Sequence, residues 1–438
     1  MSATDDPDIA PERPKNVFAL GLDERNLDLL REQPHLSGYR FHALLDKDRL
    51  MFGDVDLPRL LEVAQQRIDE FREPVDAIVG YWDFPVSSMV PILCTRNGLP
   101  GPSLESVVKS EHKYWSRLVQ REVTDAHPSF GIVDLDRPEP PPGLNFPMWL
   151  KPVKAYSSEL ALKVHDSSEL RSAAEQVHRG IAEVGEAFDF LLSTLELPPE
   201  IADIGGVACL AEEAVHGDQI TAEGYCHGGR AHVYGIVDSL CYPDSSSFQR
   251  YQYPSGVDEE LRPRIVDISC AVAERLGLDH TMFNIEFFRD PETEALNILE
   301  VNPRLSQSHA PLFELVDGTP NHQAMVQLAT GEQPTMPYRS GRHRVAGKWF
   351  HRTFEDAHVK SAPGDAELAR VREEFPDAFV DLVAQEGKRL SELRAQDPYS
   401  YELFAVYLGA DSEEDLRAKY LRCVDLLPFV LRRSPQSD

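Results

Sequence analysis

Two apolar segments of the sequence each carry one carboxylate where a buried strand would ordinarily carry a hydrophobic side chain. Glu286 lies within FNIEFF and Glu300 within NILEVN, and a short acidic connection, RDPETEA, stands between them. A hairpin with such a loop brings both carboxylates to one face. Because side chains alternate along a strand, Asn302 shares the side of Glu300, and Arg304 keeps the same parity. The pattern predicts oxygen ligands and a guanidinium clustered at the end of a strand pair.

The residue types in this cluster suit a divalent cation beside phosphate. Two carboxylates and an amide oxygen are hard ligands, the kind that Mg²⁺ takes when it also bridges nucleotide phosphates. Arg304 suits bidentate contact with a phosphoryl oxygen or a carboxylate. The structural alternative is that both glutamates are partly buried and paired with Arg or Lys. Four polar groups of one parity inside apolar strands favour the metal-binding interpretation.

A nucleotide site also needs cations for its phosphates and backbone groups for its base. Lys151 is a candidate because it ends the apolar run FPMWL and precedes Pro152. Lys113 and Lys154 are, on sequence physics alone, more typical of surface residues. The segment ACLAEEAV, an apolar strand followed by two acids and a turn, predicts an extended linker that suits adenine recognition.

Composition narrows the class of protein. The chain has 438 residues and a formal net charge of −29, which disfavours a nucleic-acid partner because no basic stripe is available for phosphates. The six cysteines form no CxxC pair and are typical of core thiols in a reducing compartment. The N-terminus lacks the features of a signal peptide, and no apolar run approaches the length of a membrane span. We therefore expect a cytoplasmic protein with no membrane partner.

Periodicity predicts the elements that must position these residues. Strands alternating with helices over about the first hundred residues indicate a parallel, wound sheet, beginning with a strand at Val17 to Leu22 and a helix capped by Asp23. A long helix is expected to carry Lys113, and antiparallel strands are expected around the GG pair of GYCHGGRAH. After Met336, strands and one helix predict a small α+β region.

The order of LKPV, AEEAVHGDQITAEG, FNIEFF and ILEVNPR resembles the ATP-grasp superfamily, and it looks like the biotin-carboxylase-like and carboxylate–amine ligase branches. The resemblance covers about residues 16 to 335, and its specific part is Glu followed by Glu-x-Asn-x-Arg. The fold implied is α/β and α+β. Its predicted parts are a disordered tail (1–15), an N-terminal α/β domain with a doubly wound parallel sheet (16–103), a small lid subdomain with its preceding helix (104–207), a large subdomain with the metal strands (208–335) and a C-terminal α+β appendage (336–438).

The resemblance also implies roles for individual residues. Glu286, Glu300 and Asn302 would hold Mg²⁺, with Mn²⁺ as the alternative, and Arg304 would face the transferred phosphoryl group or the substrate carboxylate. Residues implied to contact ATP through its phosphates, adenine or ribose are Lys113, Lys151, Ser157, Ser158, Glu212, Glu213, Ala214, Val215 and Gln219. The ribose-binding acid of the family falls at Gln219 or at Asp218, and this alternative stays open.

The loop after Lys151-Pro152 departs from the ATP-grasp sequence pattern, and the roles of a few other polar and aromatic residues are left open. Family members usually carry a glycine-rich loop after KP, whereas KAYSSELA has no glycine, so that Ser157 and Ser158 would supply hydroxyls and amides instead. The same loop also fits slower turnover or a site that no longer cleaves ATP. His309 is equally consistent with a polar residue at a helix start and with a contact to the second substrate. Tyr81, Trp82 and Asp83 end an N-terminal strand, where wound sheets place ligands.

The implied activity is an ATP-dependent ligase that joins a carboxylate and an amine through an acyl phosphate, with ADP and phosphate as by-products. One alternative is activation of bicarbonate through carboxyphosphate, as in biotin carboxylase, although the chain contains no Met-Lys-Met biotin-carrier motif. The other is a nucleotide-binding protein without turnover. The partners expected are a small-molecule carboxylate, a small-molecule amine and a second copy of the chain in a homodimer.

Overall fold

The computed structural model describes residues 13–53, 55–155, 160–394, 396–397 and 399–433. The predicted tail lies outside this part of the chain up to residue 12, and Ser157 and Ser158 lie outside it together with the rest of 156–159. Within the described ranges, no helix is both long enough and apolar enough to cross a membrane.

The strands of the described chain fall into three larger sheets and one two-stranded ribbon. Their bounds are β1 Lys15–Leu20, β2 Tyr39–Leu44, β3 Ala77–Val79, β4 Phe130–Val133, β5 Met148–Pro152, β6 Leu162–Val164, β7 Cys209–Glu213, β8 Asp218–His227, β9 Arg230–Cys241, β10 Phe248–Tyr253, β11 Thr281–Arg289, β12 Leu296–Asn302, β13 Val345–Thr353, β14 Ala357–Ser361, β15 Phe379–Leu382, β16 Tyr401–Ala410 and β17 Val430–Arg433.

The α-helices of the described chain lie between these strands, and short 3₁₀ turns occur at Pro34–Leu36 and Leu390–Glu392. Their bounds are α1 Glu24–Arg31, α2 Lys47–Phe52, α3 Leu57–Asp69, α4 Val86–Asn97, α5 Leu104–Glu111, α6 Lys113–Arg121, α7 Ser167–Gly180, α8 Ala182–Leu192, α9 Pro199–Ile204, α10 Arg262–Leu276, α11 Ala310–Asp317, α12 His322–Ala329, α13 Asp365–Glu374 and α14 Glu413–Leu426.

The N-terminal sheet is parallel, as predicted, with the order β2-β1-β3. The first strand begins and ends two residues earlier than expected, because Gly21 adopts a φ of 66° that turns the chain out of the strand. Asp23 then caps α1, and its side chain accepts from the N–H of Asn26 as an N-cap residue should. Strand ends and helix starts therefore meet at one edge of this sheet.

A four-stranded antiparallel sheet has the order β4-β7-β5-β6. Its pairing of Met148 with Val164 confirms the predicted two strands around a turn. β7 begins at Cys209 and pairs with both β4 and β5. The predicted boundary between residues 207 and 208 therefore assigns this inner strand to one subdomain and its two partner strands to the other. The division of the chain into domains stays a prediction.

The large sheet has eight strands in the order β12-β11-β8-β9-β10-β13-β16-β15. The predicted partnership of FNIEFF and NILEVN is confirmed, and β8 and β9 form the predicted hairpin around Gly228 and Gly229, both of which have positive φ. The C-terminal strands and helix occur where the sequence predicts them. The strands β13, β15 and β16 are not a separate sheet, because β13 pairs with β10 and so continues the sheet that carries the two glutamates, whereas β14 and β17 form the two-stranded ribbon.

One large apolar core fixes the strands that bear the glutamates. Ile285, Phe287, Ile298 and Val301 are each at most 2% exposed, and they belong to a cluster that also includes Trp115 of α6. Burying one such side chain stabilises the fold by about 1.5–3 kcal/mol. The apolar residues of β11 and β12 therefore hold the strand pair rigidly under the polar face.

Candidate active site

A β-bulge brings the two glutamates face to face. Glu286 pairs directly with Glu300, but the next pair is Phe287 with Ile298, so Leu299 is an extra residue in β12. In a regular strand without a bulge, Ile298 and Glu300 are two residues apart and would lie on the same side. The bulge lets Ile298 enter the core while Glu300 lies opposite Glu286. Because of the bulge, β12 buries Ile298 in the core and still presents a carboxylate on its other face.

Glu286 is surrounded by a carboxylate and by neutral amides. Burial first, and then repulsion by Glu300, raise the pKa of Glu286 to about 7. The side-chain nitrogens of Gln219 and Asn302 donate to its two oxygens at 2.9 Å and 3.3 Å. These donors are neutral, and the charge of Arg304, which acts to lower the pKa, does not outweigh burial and repulsion.

Lys113 supplies the cation for Glu300. Its ammonium donates to Oε1 of Glu300 at 2.6 Å and to the carbonyl of Ala155 at 3.2 Å. The Glu300 side chain keeps 36% of its surface exposed. Burial acts to raise the pKa of Glu300, but attraction to Lys113 outweighs it, and the net pKa lies below its ordinary value. Lys113 thus joins β12 to Ala155, which follows Lys154 at the start of the segment KAYSSELA.

The predicted long helix around Lys113 is broken. His112 has an extended conformation, with φ −77° and ψ 98°, and it separates α5 from α6. Its Nδ1 accepts from the N–H of Trp115 at 3.2 Å, so it caps α6, and its Nε2 lies 3.1 Å from the carbonyl of Gly205. The break places Lys113 at the first position of α6, where its N–H donates to the carbonyl of Val153 at 2.8 Å. The prediction of Lys113 as a surface residue is therefore wrong.

Arg304 is bound by a carboxylate from the N-terminal part of the chain. Its Nε and Nη2 lie 2.8 Å and 2.7 Å from Oδ1 of Asp83, which follows the carboxyl end of β3. Burial acts to raise the pKa of Asp83, but the charge of Arg304 lowers it overall. In the sequence, Asp83 stands with Tyr81 and Trp82 at a strand end, and its ion pair with Arg304 is not predicted there. The position after a parallel strand was the available signal.

Glu212 forms ion pairs with two cations, and the sequence did not predict them. Its carboxylate lies 2.6 Å from Nε of Arg117 and 2.7 Å from the ammonium of Lys151, and these ions lower its pKa to about 2 against the effect of burial. Arg117 also donates to the carbonyl of Leu299 at 2.9 Å and so supports the bulge. Lys151, predicted to contact phosphates, is thus paired with a protein carboxylate.

The backbone of the predicted adenine linker is already engaged within the fold. The N–H groups of Glu213, Ala214 and Val215 donate to the carbonyls of Ser129, Pro147 and Glu213, at 2.9 Å, 3.3 Å and 2.9 Å respectively. The Glu213 side chain is exposed, whereas Glu212 is 2% exposed. Any base bound here would have to use carbonyls of this segment or replace one of these bonds.

Lys154 is a buried cation that sequence reasoning placed at the surface. It is 5% exposed, it donates to Glu111 at 2.8 Å, and its ammonium lies about 5 Å from the ring centres of Phe84 and Phe188. A Lys after KPV, at the end of a strand, was the available signal. Lys113, Lys151 and Lys154 thus all lie close to strand ends that face the glutamate pair or its supports.

The other candidates are distributed as follows. Gln219, predicted for ribose, instead lies against Glu286. Its alternative, Asp218, is exposed and lies 4.0 Å from Arg289. Ser157 and Ser158 fall outside the described residues. The roles assigned to all these residues stay predictions.

The donor set fits a divalent cation whose remaining ligands come from another molecule. Two carboxylates face each other, and burial and the charge of Glu300 raise the pKa of Glu286 despite the nearby charge of Arg304. Within the described residues, no group of three or more His, Cys, Asp or Glu side chains is arranged to hold a metal ion. Asn302 presents its nitrogen to Glu286, so its amide must turn over before its oxygen can bind a metal. The protein alone thus offers two or three oxygen ligands.

Comparison with known proteins agrees with this architecture. Residues 144–311 match a family model described as an ATP-grasp domain. L-amino acid ligase from Bacillus licheniformis is 18% identical, with a TM-score of 0.71 over 96% of this chain and 100% of that chain. Biotin carboxylase from Campylobacter jejuni is 14% identical, with a TM-score of 0.62 over 96% and 92%.

A third solved structure, N5-carboxyaminoimidazole ribonucleotide synthetase from Thermotoga maritima, is 12% identical, with a TM-score of 0.61 over 95% of this chain and 100% of that chain. At these identities the similarity concerns the fold. No curated protein sequence matches the chain. Residues 144–311 thus match an ATP-grasp domain, and the chain shares the fold of these solved structures.

Proposed function

We propose that the chain is an ATP-dependent ligase that joins a carboxylate to an amine. A carboxylate oxygen attacks the γ-phosphorus of ATP and ADP leaves, which gives an acyl phosphate. The amine nitrogen then attacks the acyl carbon, phosphate leaves, and the nitrogen loses a proton as the amide forms. Amide formation is compatible with the L-amino acid ligase among the similar structures, but it rests here on the site.

The observation that carries the proposal is the facing pair of Glu286 and Glu300 at the end of a rigid strand hairpin. Glu286 and Glu300 would hold Mg²⁺ there, and its charge would offset the negative charge that develops during phosphoryl transfer. The bulge at Leu299 and the bond from Arg117 to its carbonyl fix the direction of Glu300. A site held this rigidly is suited to positioning a metal rather than to packing alone.

Two cations stand beside the pair and suit the transferred phosphoryl group. Lys113 bonds to Glu300, and Arg304 is held by Asp83. Each keeps N–H groups beyond those it gives to the protein, because an ammonium has three donors and a guanidinium has five. We assign Lys113 to the phosphates of ATP and Arg304 to the phosphoryl oxygens or the substrate carboxylate.

The experiment is a screen for ADP release with paired carboxylates and amines, using the full chain, ATP and Mg²⁺. We expect ADP to form only when both partners are present, with an equal amount of amide detected by mass spectrometry. Glu286→Gln should abolish the release. Glu292→Gln, an exposed position in the loop of the same hairpin, is the matched control and should not change it. Failure of every pair to release ADP would contradict the proposal.

A further inference from the structure

One row of side chains crosses the large sheet on the face that carries Glu286. Gln219 touches Glu286, and residues directly opposite one another on paired strands share a face. The strand pairings therefore extend this face across six strands, through Gln219, Ser239, Tyr251, Lys348, Tyr407 and Phe379. The row leads from the glutamate pair into the C-terminal part of the chain, whose role the sequence left open.

Lys348 is the cation in this row. Burial raises the pKa of Glu402 and the charge of Lys348 acts to lower it, but the carboxylate of Glu402 is itself paired with Arg352 at 3.0 Å. The ammonium of Lys348 donates to Oγ of Ser308 at 3.2 Å and lies 4.6 Å from the ring centre of Phe350. In the part of the chain that the structure describes, no Asp or Glu oxygen forms an ion pair with it within 4.0 Å. Neutral hydroxyls and aromatic faces stabilise a half-buried ammonium without neutralising it.

The Ser308 that binds Lys348 belongs to the segment after Arg304. Its neighbour His309 is 4% exposed, and its Nδ1 lies 2.7 Å from the buried Glu223. The ring of Tyr251 meets His309 edge-on at 5.0 Å. Tyr251 lies directly opposite Lys348 on paired strands, so Lys348 lies on the same face of the sheet as the candidate metal site.

Buried polar atoms without partners lie beside the row. Within the described residues these include Oη of Tyr407 and Nη2 of Arg25. The guanidinium of Arg25 lies 4.4 Å from the ring centre of Tyr407, and the ammonium of Lys348 lies 5.4 Å from the same ring. Buried polar atoms ordinarily have hydrogen-bond partners. A polar molecule at this place would supply them.

We propose that Lys348 is a specificity-determining residue that binds a substrate carboxylate other than the one being activated. The inference rests on the proposed ligase function and narrows its substrates to molecules with a non-reacting carboxylate, either an amino acid as the amine or a dicarboxylic acid as the donor. Lys113 and Arg304 already serve the reacting end. Lys348, four strands away from β11 along the sheet, suits a group that does not react.

The test compares wild type with Lys348→Met and Lys348→Arg. ADP release is measured with L-alanine against ethylamine as the amine, and with glutarate against butyrate as the acid. Lys348→Met should raise KM for the carboxylate-bearing member of one pair by about 10- to 100-fold, because a charge-assisted hydrogen bond is lost. Lys348→Arg should recover part of it, and KM for the member without that carboxylate should not change. The pair that responds identifies the source of the carboxylate.

Lys360→Met, at an exposed position of β14, is the control for loss of a lysine and should behave as wild type. Equal effects of Lys348→Met on both members of both pairs would overturn the proposal. Direct calorimetric titration of L-alanine and of glutarate needs no turnover. It therefore separates failure of the Lys348 site from failure of the ligase function. If wild type releases no ADP but binds one of them and Lys348→Met does not, the ligase function fails and the Lys348 site stands. If wild type binds neither, or the variant binds equally, the Lys348 site fails.

Discussion

Glu286 and Glu300 are neighbours with opposite electrostatic surroundings. Lys113 compensates Glu300, whereas Glu286 has only neutral amide donors and a pKa of about 7. A divalent cation between them would compensate both carboxylates at once. Without a bound cation the charges of Glu286 and Glu300 are therefore compensated to different extents, and a bound cation would compensate both.

Replacement of Lys113 by Met should weaken ATP binding by at least about tenfold, because the lost group is a charged hydrogen-bond donor worth about 1.5–3 kcal/mol. Isothermal calorimetry with ATP and Mg²⁺ measures the change. Lys109→Met is the matched control, since Lys109 pairs with Glu105 at 2.9 Å within α5. Equal affinities for the two variants would refute the assignment of Lys113 to the phosphates.

Strand parity was enough to predict which polar residues gather at the site, but not how they are paired. Asn302 does reach Glu286, as alternation along β12 requires. The bulge at Leu299 has no signature in the sequence, because an inserted strand residue is an ordinary apolar side chain. The partners of Lys151 and Lys154 depend on α5, α6 and β7, which are far away in the chain, so no local pattern reveals them.

Among the elements, the break between α5 and α6 determines where Lys113 lies. Its residues favour a continuous helix, and tertiary contacts of His112 override that preference. His112 is fully buried and its pKa is lowered to about 4, with burial as the main cause. The boundary between α5 and α6 depends on the contacts of the His112 ring with the carbonyl of Gly205 and the N–H of Trp115. The contact with Gly205 is distant in the chain, so the local sequence does not predict this boundary.

This burial makes stability depend on pH. His112 has a pKa of 6.5 in the unfolded chain and about 4 in the folded protein. Between these two values only the unfolded chain binds the proton, so the free energy of unfolding is unaffected above pH 6.5 and falls by up to about 1.4 kcal/mol for each pH unit down to 4. His112→Asn keeps a capping acceptor and removes the titration. Urea unfolding of both proteins from pH 7.5 to 4.5 should show a shallower slope for the variant. Parallel slopes would contradict this account.

In the whole molecule, the C-terminal region is built into the same sheet as the candidate site. β13 pairs with β10, and Arg25 of α1 lies over the rings of Phe379 and Tyr407. The sequence predicted strands and a helix after residue 336 but gave no means of choosing their partners, since strand pairing is non-local. The fold class followed from local pattern and family resemblance, while the continuity of the sheet did not.

A chain that ends at residue 335 should therefore not fold as a stable monomer. Removal of β13 would expose the edge of β10 and the apolar face around Tyr251 and Tyr253, and such an edge favours association between chains. Size-exclusion chromatography and thermal unfolding of the shortened and full chains compare them. A monomeric shortened chain that unfolds in one cooperative transition would show that residues 336–438 are an independent appendage.

Calorimetric ATP binding with and without Mg²⁺, on wild type, Glu300→Gln and the control Glu292→Gln, tests directly whether Glu286 and Glu300 hold the metal. Mg²⁺ should strengthen ATP binding to wild type and to the control, and Glu300→Gln should remove this gain while keeping metal-free binding. If Mg²⁺ strengthens ATP binding equally in all three proteins, the facing glutamates do not hold the metal. If wild type binds no ATP under either condition, the proposed ligase function is wrong.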